Sequence, residues 1–140
     1  MKIEIKYDTE NIDWDEIPAT LKSVGMAYHT AEKHQKAFEA SYCTVFLFDQ
    51  ELMVGFGRAI SDGVCQAAIY DCAILTSYQG QGLGKLLIQK ILAKLPNCNV
   101  ILYAAPGKEG FYQKLGFRKM KTGLAYFVNR DAMTEKGFTE

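Results

Sequence analysis

The stretch QGQGLGK, Gln79 to Lys85, sets glycines at three alternate positions and ends on a lysine. It follows the apolar run AAIYDCAIL and precedes Leu83, Leu87, Ile91 and Leu95, which recur at helical spacing. The pattern predicts a strand, a glycine-rich turn and a helix, in that order. At such a junction free backbone N–H groups and the positive end of the helix dipole both point outward. Without side chains the backbone can curl around an anion, and Lys85 adds charge beside it. The stretch therefore reads as a phosphate site. A connector with no ligand is the alternative, at the entropic cost of ordering three glycines.

Spacing sorts the known phosphate loops. The nucleotide P-loop, G-x-x-x-x-G-K-S/T, fails because Leu86 stands where a magnesium-binding hydroxyl is required. The dinucleotide fingerprint G-x-G-x-x-G fails because the third glycine comes one residue early, and the unit lies mid-chain behind antiparallel strands.

Those strands are read from local pattern. Lys2 to Tyr7 alternates as a strand. A helix is expected from the acidic cluster Asp13, Trp14, Asp15, Glu16 to Val24, with Pro18 tolerated near its start and Gly25 closing it. Thr30 is a good N-cap for a second helix reaching Ala40, with Glu32 and Lys36 one turn apart. From Tyr42 the period switches to two, giving a hairpin around Asp49–Gln50–Glu51 and a third strand from Val64 to Leu75. The glycine-led helix is stopped by Pro96. Beyond it are expected a strand from Asn99 to Ala104, a short helix from Gly107 to Leu115, and a hairpin of Phe117–Met120 with Leu124–Asn129. Asp131 to Glu140 reads as a polar, loose end. The order is mixed α+β in one domain spanning 1–140, without repeats or a linker.

Composition narrows the partners. Sixteen Lys and Arg balance sixteen Asp and Glu, so nothing favours nucleic acid or an anionic membrane. MKIEIKYD is neither a secretory signal nor a transit peptide, and no apolar run approaches membrane-spanning length. Cys43, Cys65, Cys72 and Cys98 fit no zinc or redox spacing and read as reduced, buried thiols of a cytoplasmic protein.

Gln79, Gly82 and Gly84 satisfy Q/R-x-x-G-x-G/A directly after an apolar strand. This resembles the acetyl-CoA motif of the GNAT superfamily of N-acetyltransferases. The string YDCAILTSYQGQGLGKLLIQKIL is similar to that family's strand, pyrophosphate loop and helix, and FYQKLGF to its second motif, in the expected order. The first half of the chain matches in layout alone. The resemblance implies a central, mostly antiparallel twisted sheet of about six to seven strands, with a parallel pair splayed by a bulge and about four flanking helices.

It also implies roles. The pyrophosphate of acetyl-CoA, the co-substrate, would lie on the backbone of Gly80, Gln81, Gly82, Leu83, Gly84 and Lys85, with Gln79 opening the loop. The pantetheine arm would pair with Cys72, Ala73 and Ile74, and the Ile74 N–H would serve the thioester oxygen. Phe111 and Lys114 would flank the cofactor, while Tyr112 would protonate the departing thiolate; a tyrosine packed on the sheet is the other reading. Direct attack by an amine needs no metal.

The general base is not written in the motif. The position that carries a glutamate or histidine in several members is Ala68, which cannot accept a proton. Tyr70 shares its strand face and could order water, whereas alternation turns Asp71 to the opposite face unless a bulge re-aims it. A water relay is the leading reading and Asp71 the candidate base. Against the acceptor the family layout places Tyr28, His29, Phe56, Arg58, Tyr70 and Tyr126. Arg58 could grip an anionic substrate group, or pair with Asp62 or face solvent; His29 and His34 read as surface residues. A small-molecule amine is the preferred acceptor, with a protein N-terminus or lysine as the alternative. A non-catalytic acyl-CoA-binding module is the rival function, and a homodimer through the C-terminal hairpin is allowed.

Overall fold

Residues 2–140 are described by a computed structural model and divide into two compact units, one up to Leu102 and one from Tyr103 to Glu140. The first unit holds β1 (Ile3–Lys6), α1 (Glu16–Ser23), α2 (Ala31–Glu39), β2 (Cys43–Asp49), β3 (Leu52–Ser61), β4 (Gln66–Ile74), a 3₁₀ turn (Thr76–Tyr78), α3 (Leu83–Ala93) and β5 (Asn99–Ile101). The strands form one sheet in the order β1-β2-β3-β4-β5. Pairings are antiparallel as far as β4, and β4 pairs parallel with β5. The antiparallel run needs only tight links, such as Gln50–Glu51 with Gln50 at φ 57°. The parallel step needs a crossover, and α3 supplies it.

Local chemistry sets the helix ends. The Asp13 carboxylate accepts the Asp15 N–H at 3.2 Å, holding the acidic cluster in a turn, so α1 begins at Glu16 and not at Asp13. Thr30 accepts from the Lys33 N–H at 3.3 Å as the cap of α2, and Lys36 pairs with Glu32 on the exposed face.

Both faces of the sheet are covered. On one, Ile17 and Leu21 of α1 and Phe38 of α2 pack with Phe46, Phe56 and Ala73, the Phe38 ring lying 5.6 Å from that of Phe46 and 6.0 Å from that of Phe56. On the other, α3 lies so near β3 that a Cβ on Gly57 would meet Ile91 Cδ1 at 3.0 Å and Cys72 Sγ at 2.7 Å. The glycine is what lets helix and sheet close.

The second unit contains α4 (Glu109–Lys114) and α5 (Arg130–Glu135). α5 corrects the expectation of a loose end, because Asn129 caps it by accepting the Ala132 N–H at 3.2 Å. The Phe138 ring then packs edge-on against Tyr103 at 5.9 Å. The expected hairpin of Phe117–Met120 and Leu124–Asn129 is a second correction, since no ladder forms among these residues. Leu124, Tyr126 and Val128 alternate as a strand does, yet their side chains are fully exposed. Among the described residues the sheet accordingly has five strands instead of six to seven, and there are five α-helices where about four were expected. β-propensity alone does not form a strand; a partner must take its hydrogen bonds.

Candidate active site

The glycine loop emerges where expected, between β4 and α3. Gly80 and Gly82 have φ of +76° and +82°, a region closed to most side chains, and a Cβ on either would meet nothing within 4 Å. Gly82 is the N-cap of α3, and its carbonyl accepts the Leu86 N–H at 3.0 Å. The N–H groups of Leu83, Gly84 and Lys85 thus precede the first intrahelical bond and point out at the positive end of an eleven-residue helix. Gln79 folds back, its Nε2 donating to the Ile74 carbonyl at 3.0 Å. The open space beside two left-handed glycines fits a pyrophosphate, and Lys85 is exposed beside it.

Beside the loop the sheet opens. Pairing of β4 with β5 runs Gln66↔Asn99, Ala67↔Val100 and Ala68↔Ile101, where β5 ends, so the β4 edge from Ile69 to Ile74 continues past its parallel neighbour. The Leu75 N–H bonds the Val54 carbonyl on β3 at 2.8 Å. Strand alternation therefore turns the Ile74 N–H the other way, into the gap. Cys72 stands on this edge, and desolvation of its sulfur, with the Asp71 charge adding to it, pushes the thiol up to about 12 and removes it as a nucleophile. The cysteines as a group are free thiols, but Cys65 is exposed and Cys43 and Cys98 are only part-buried, as is Cys72 apart from its desolvated sulfur, which corrects the expectation that all are buried.

A bulge interrupts β3 and β4. Phe56 pairs with Ala73 and Arg58 with Tyr70, so Gly57 alone stands opposite Asp71 and Cys72, and Asp71 adopts φ 57°. The bulge turns Asp71 onto the face of Tyr70. There the Arg58 Nε donates to Asp71 Oδ2 at 2.8 Å and Nη1 donates to Ser41 Oγ at 3.4 Å. The guanidinium carbon lies 5.7 Å from the Phe38 ring and 5.5 Å from the Tyr70 ring. Arg58 is thus a bonded, stacked internal cation, which corrects its expected roles as an anion grip or as the partner of Asp62. Asp62 instead accepts the N–H groups of Val64, Cys65 and Gln66, which hold its carboxyl well below the usual carboxylate range. Phe56 is also corrected: it is 1% exposed and belongs to the core, not to a substrate wall.

His34 is the residue that sequence reasoning misplaced. It is 3% exposed, and its Nε2 accepts the backbone N–H of His29 at 2.8 Å. Burial holds the imidazole below its ordinary value; Asp71 opposes this, while His29 and Arg58 add to it. The available signal was its place one turn before Phe38, since these are the two buried residues of α2. Tyr28 and His29, on the α1–α2 connection, are exposed.

A family model described as an acetyltransferase (GNAT) domain matches residues 7–126. The chain belongs to the GNAT family of acetyltransferases. A serotonin N-acetyltransferase 2, chloroplastic, from Oryza sativa subsp. japonica is 31% identical over 90% of this chain and 68% of its own length. A histone acetyltransferase TAP1 from Glycine max is 30% identical over 81% of this chain and 55% of its own. The crystal structure of a probable acetyltransferase from meticillin-resistant Staphylococcus aureus superposes with TM-score 0.79 at 29% identity, covering 90% of this chain and 98% of that one. The expected cytoplasmic location finds no support in a chloroplast relative. Among the described residues no helix is long and apolar enough to cross a membrane.

In this acetyltransferase the second motif lies in the second unit. Tyr112 on α4 is half-buried, its ring edge-on to Phe111 at 5.0 Å and to Phe117 at 5.9 Å, and its carbonyl accepts the Phe117 N–H at 3.1 Å. Phe111 and Lys114 are exposed on the same short helix. Tyr126 is fully exposed on the unpaired stretch, so no packing orients its ring as an acceptor contact.

Proposed function

We propose that this acetyltransferase moves an acetyl group from acetyl-CoA to the primary amine of a small molecule by direct attack in a ternary complex. The carrying observation is the open β4 edge at Ile74 beside the left-handed glycines at the start of α3. Acetyl-CoA supplies the activated acyl group. The N–H groups of Leu83, Gly84 and Lys85 would hold its pyrophosphate, and the backbone of Cys72 to Ile74 its pantetheine arm. The Ile74 N–H would donate to the acyl oxygen, where negative charge builds during attack. Tyr112 would hand its phenolic proton to the leaving sulfur.

The attacking amine must lose a proton. Ala68 cannot take it, and Asp71 Oδ2 is committed to Arg58, so a water ordered by Tyr70 and the Asp71 carboxylate would carry it away. Tyr28, His29 and Tyr70 would meet the acceptor. The rice relative's name favours an amine of small-molecule size and the soybean relative's a histone lysine. The neutral formal charge of this chain favours the former, since basic tails call for acidic surfaces.

The thermal midpoint with acetyl-CoA, ATP or NAD in excess tests the donor. Binding at about a hundred times the dissociation constant should stabilise by roughly 2.7 kcal/mol, a rise of several degrees. A rise with acetyl-CoA alone supports the reading, and a rise with ATP alone refutes it. Acetyl transfer is then assayed on a panel holding arylalkylamines, polyamines, aminosugars, amino acids and histone-tail peptides. Donor binding without transfer to any acceptor would favour the second reading, a non-catalytic acyl-CoA-binding module, for which the alanine at position 68 speaks.

The fully exposed Leu124, Tyr126 and Val128 favour assembly as a homodimer, in which a second copy would supply the missing strand partner. Sedimentation would read a dimer for the wild-type chain and a monomer for Leu124→Asp/Val128→Asp. A wild-type monomer at all concentrations would refute the assembly.

A further inference from the structure

A buried imidazole that accepts a backbone hydrogen bond is an unusual use of histidine. The His34 Nε2 receives the His29 N–H at 2.8 Å from within a site 3% exposed, which assigns the neutral ring's own proton to Nδ1. The bond spans the first turn of α2 and fastens the connection that carries Tyr28 and His29. The two imidazoles stand 5.7 Å apart between centroids. The charged groups that act on the ring are Asp71 from β4, Arg58 from β3 and His29 from the connection itself. The helix itself reaches the bulge: Phe38, one turn on from His34 and the other buried residue of α2, has its ring 5.7 Å from the guanidinium carbon of Arg58, which pairs with Asp71 and lies 5.5 Å from the Tyr70 ring.

From this geometry we infer that His34 is a positioning residue for the acceptor amine: its unprotonated Nε2 clasps the His29 N–H and so sets the α1–α2 connection beside Tyr70 and Asp71. The inference rests on reading that face as the acceptor side. A proton on Nε2 would oppose one donor to another, and the clasp would open. Burial already disfavours that proton, so the clasp stays closed near neutral pH and opens as the medium becomes acidic. The acyl-donor loop at Gly80 and Gly82 is not part of this contact, so acceptor and donor affinity separate.

Two variants and two readouts test it. His34→Leu keeps the bulk and removes the acceptor; His34→Gln places an amide oxygen near the position of Nε2 and does not titrate. A lost hydrogen bond of ordinary strength corresponds to about a tenfold change. His34→Leu is therefore expected to raise the acceptor KM about tenfold with the acetyl-CoA KM unchanged, and His34→Gln to bring it back toward wild type. The ratio of wild-type to His34→Gln acceptor KM, in which the amine's own titration cancels, is expected to climb as pH falls below the imidazole pKa. An unchanged acceptor KM in His34→Leu, or a flat ratio, would overturn the inference.

The second readout needs no turnover. Hydrogen exchange of the His29 amide in the free protein is expected to be slow in wild type and His34→Gln and about tenfold faster in His34→Leu, on the same hydrogen-bond scale. If no acceptor is ever turned over, the acetyl-transfer reading fails while this amide still decides the clasp. A fast His29 amide in wild type at neutral pH would overturn it. Should His34→Leu not fold, the wild-type and His34→Gln amides compared between neutral and acid pH give the same decision.

Discussion

Arg58 and Asp71 meet at 2.8 Å only because Gly57 faces two residues of β4 and the resulting bulge turns Asp71 onto the arginine's side of the sheet. Their side chains are 15% and 22% exposed, so each would leave a poorly solvated charge if the other were removed. Asp71→Ala is expected to lower unfolding free energy by about 2–4 kcal/mol, with Arg58→Met/Asp71→Leu recovering much of it. Urea denaturation of the set measures this. A single-variant loss no larger than that of a surface ion pair would show that the contact does not hold the bulge.

Gly57 also admits α3 to the sheet. Gly57→Ala would drive a methyl group to 2.7 Å from Cys72 Sγ and 3.0 Å from Ile91 Cδ1. Overpacking of this kind typically costs about 1–3 kcal/mol. The expected outcome is a lower urea midpoint with the m-value unchanged, and a midpoint equal to wild type would contradict the close approach.

Gly82→Val tests the phosphate reading of the loop. The φ of +82° strains a β-branched residue, and the new side chain would fill the space beside the N–H groups of α3. Acetyl-CoA affinity measured by calorimetry is expected to fall at least about a hundredfold, as for losing two or more charge-assisted hydrogen bonds. Normal affinity would remove the loop from the binding site.

Tyr112→Phe keeps the ring packing with Phe111 and Phe117 and removes the phenolic proton proposed for the leaving sulfur. Turnover at saturating substrates is expected to drop about 10²-fold, within the usual range for a general acid, with acetyl-CoA affinity nearly intact. Equal turnover would reassign Tyr112 to a structural role.

His34 makes stability depend on pH with a definite sign. Its folded-state pKa is depressed, so the unfolded chain binds the proton more readily. The stabilising contribution is present above the unfolded value of about 6.5 and is lost as pH falls through the folded value. Between pH 7 and pH 5 the thermal midpoint of wild type should fall more than that of His34→Gln. Parallel falls would mean that His34 is solvated in the folded protein.

The parts legible in advance were those that local chemistry determines. The Thr30 cap, the alternation of β2 and β3, the helical spacing of Leu83, Leu87 and Ile91, and the left-handed demand at Gly80 and Gly82 are decided within a few residues. The glycine loop therefore has the character of an anion cradle in the sequence itself. Alternation also placed Asp71 correctly as a conditional: on the far face unless a bulge intervened.

What remained hidden depends on neighbours remote in sequence. Nothing near Arg58 indicates that its charge will be spent on Asp71 and stacked between Phe38 and Tyr70, because a strand residue does not carry its partner's register. At His34 the one-turn spacing to Phe38 indicates the buried face of α2, but nothing nearby shows that the ring will receive the His29 N–H. Leu124 to Val128 has the pattern of a strand and lacks the ladder, since pairing is supplied by another segment and not by propensity. The sequence by itself determined the helices and strands up to β5, the left-handed glycine turn before α3 and the family. Tertiary structure alone decided which charges neutralise one another, what the buried imidazole bonds and which strands find partners, because each is a contact between residues that only folding brings together.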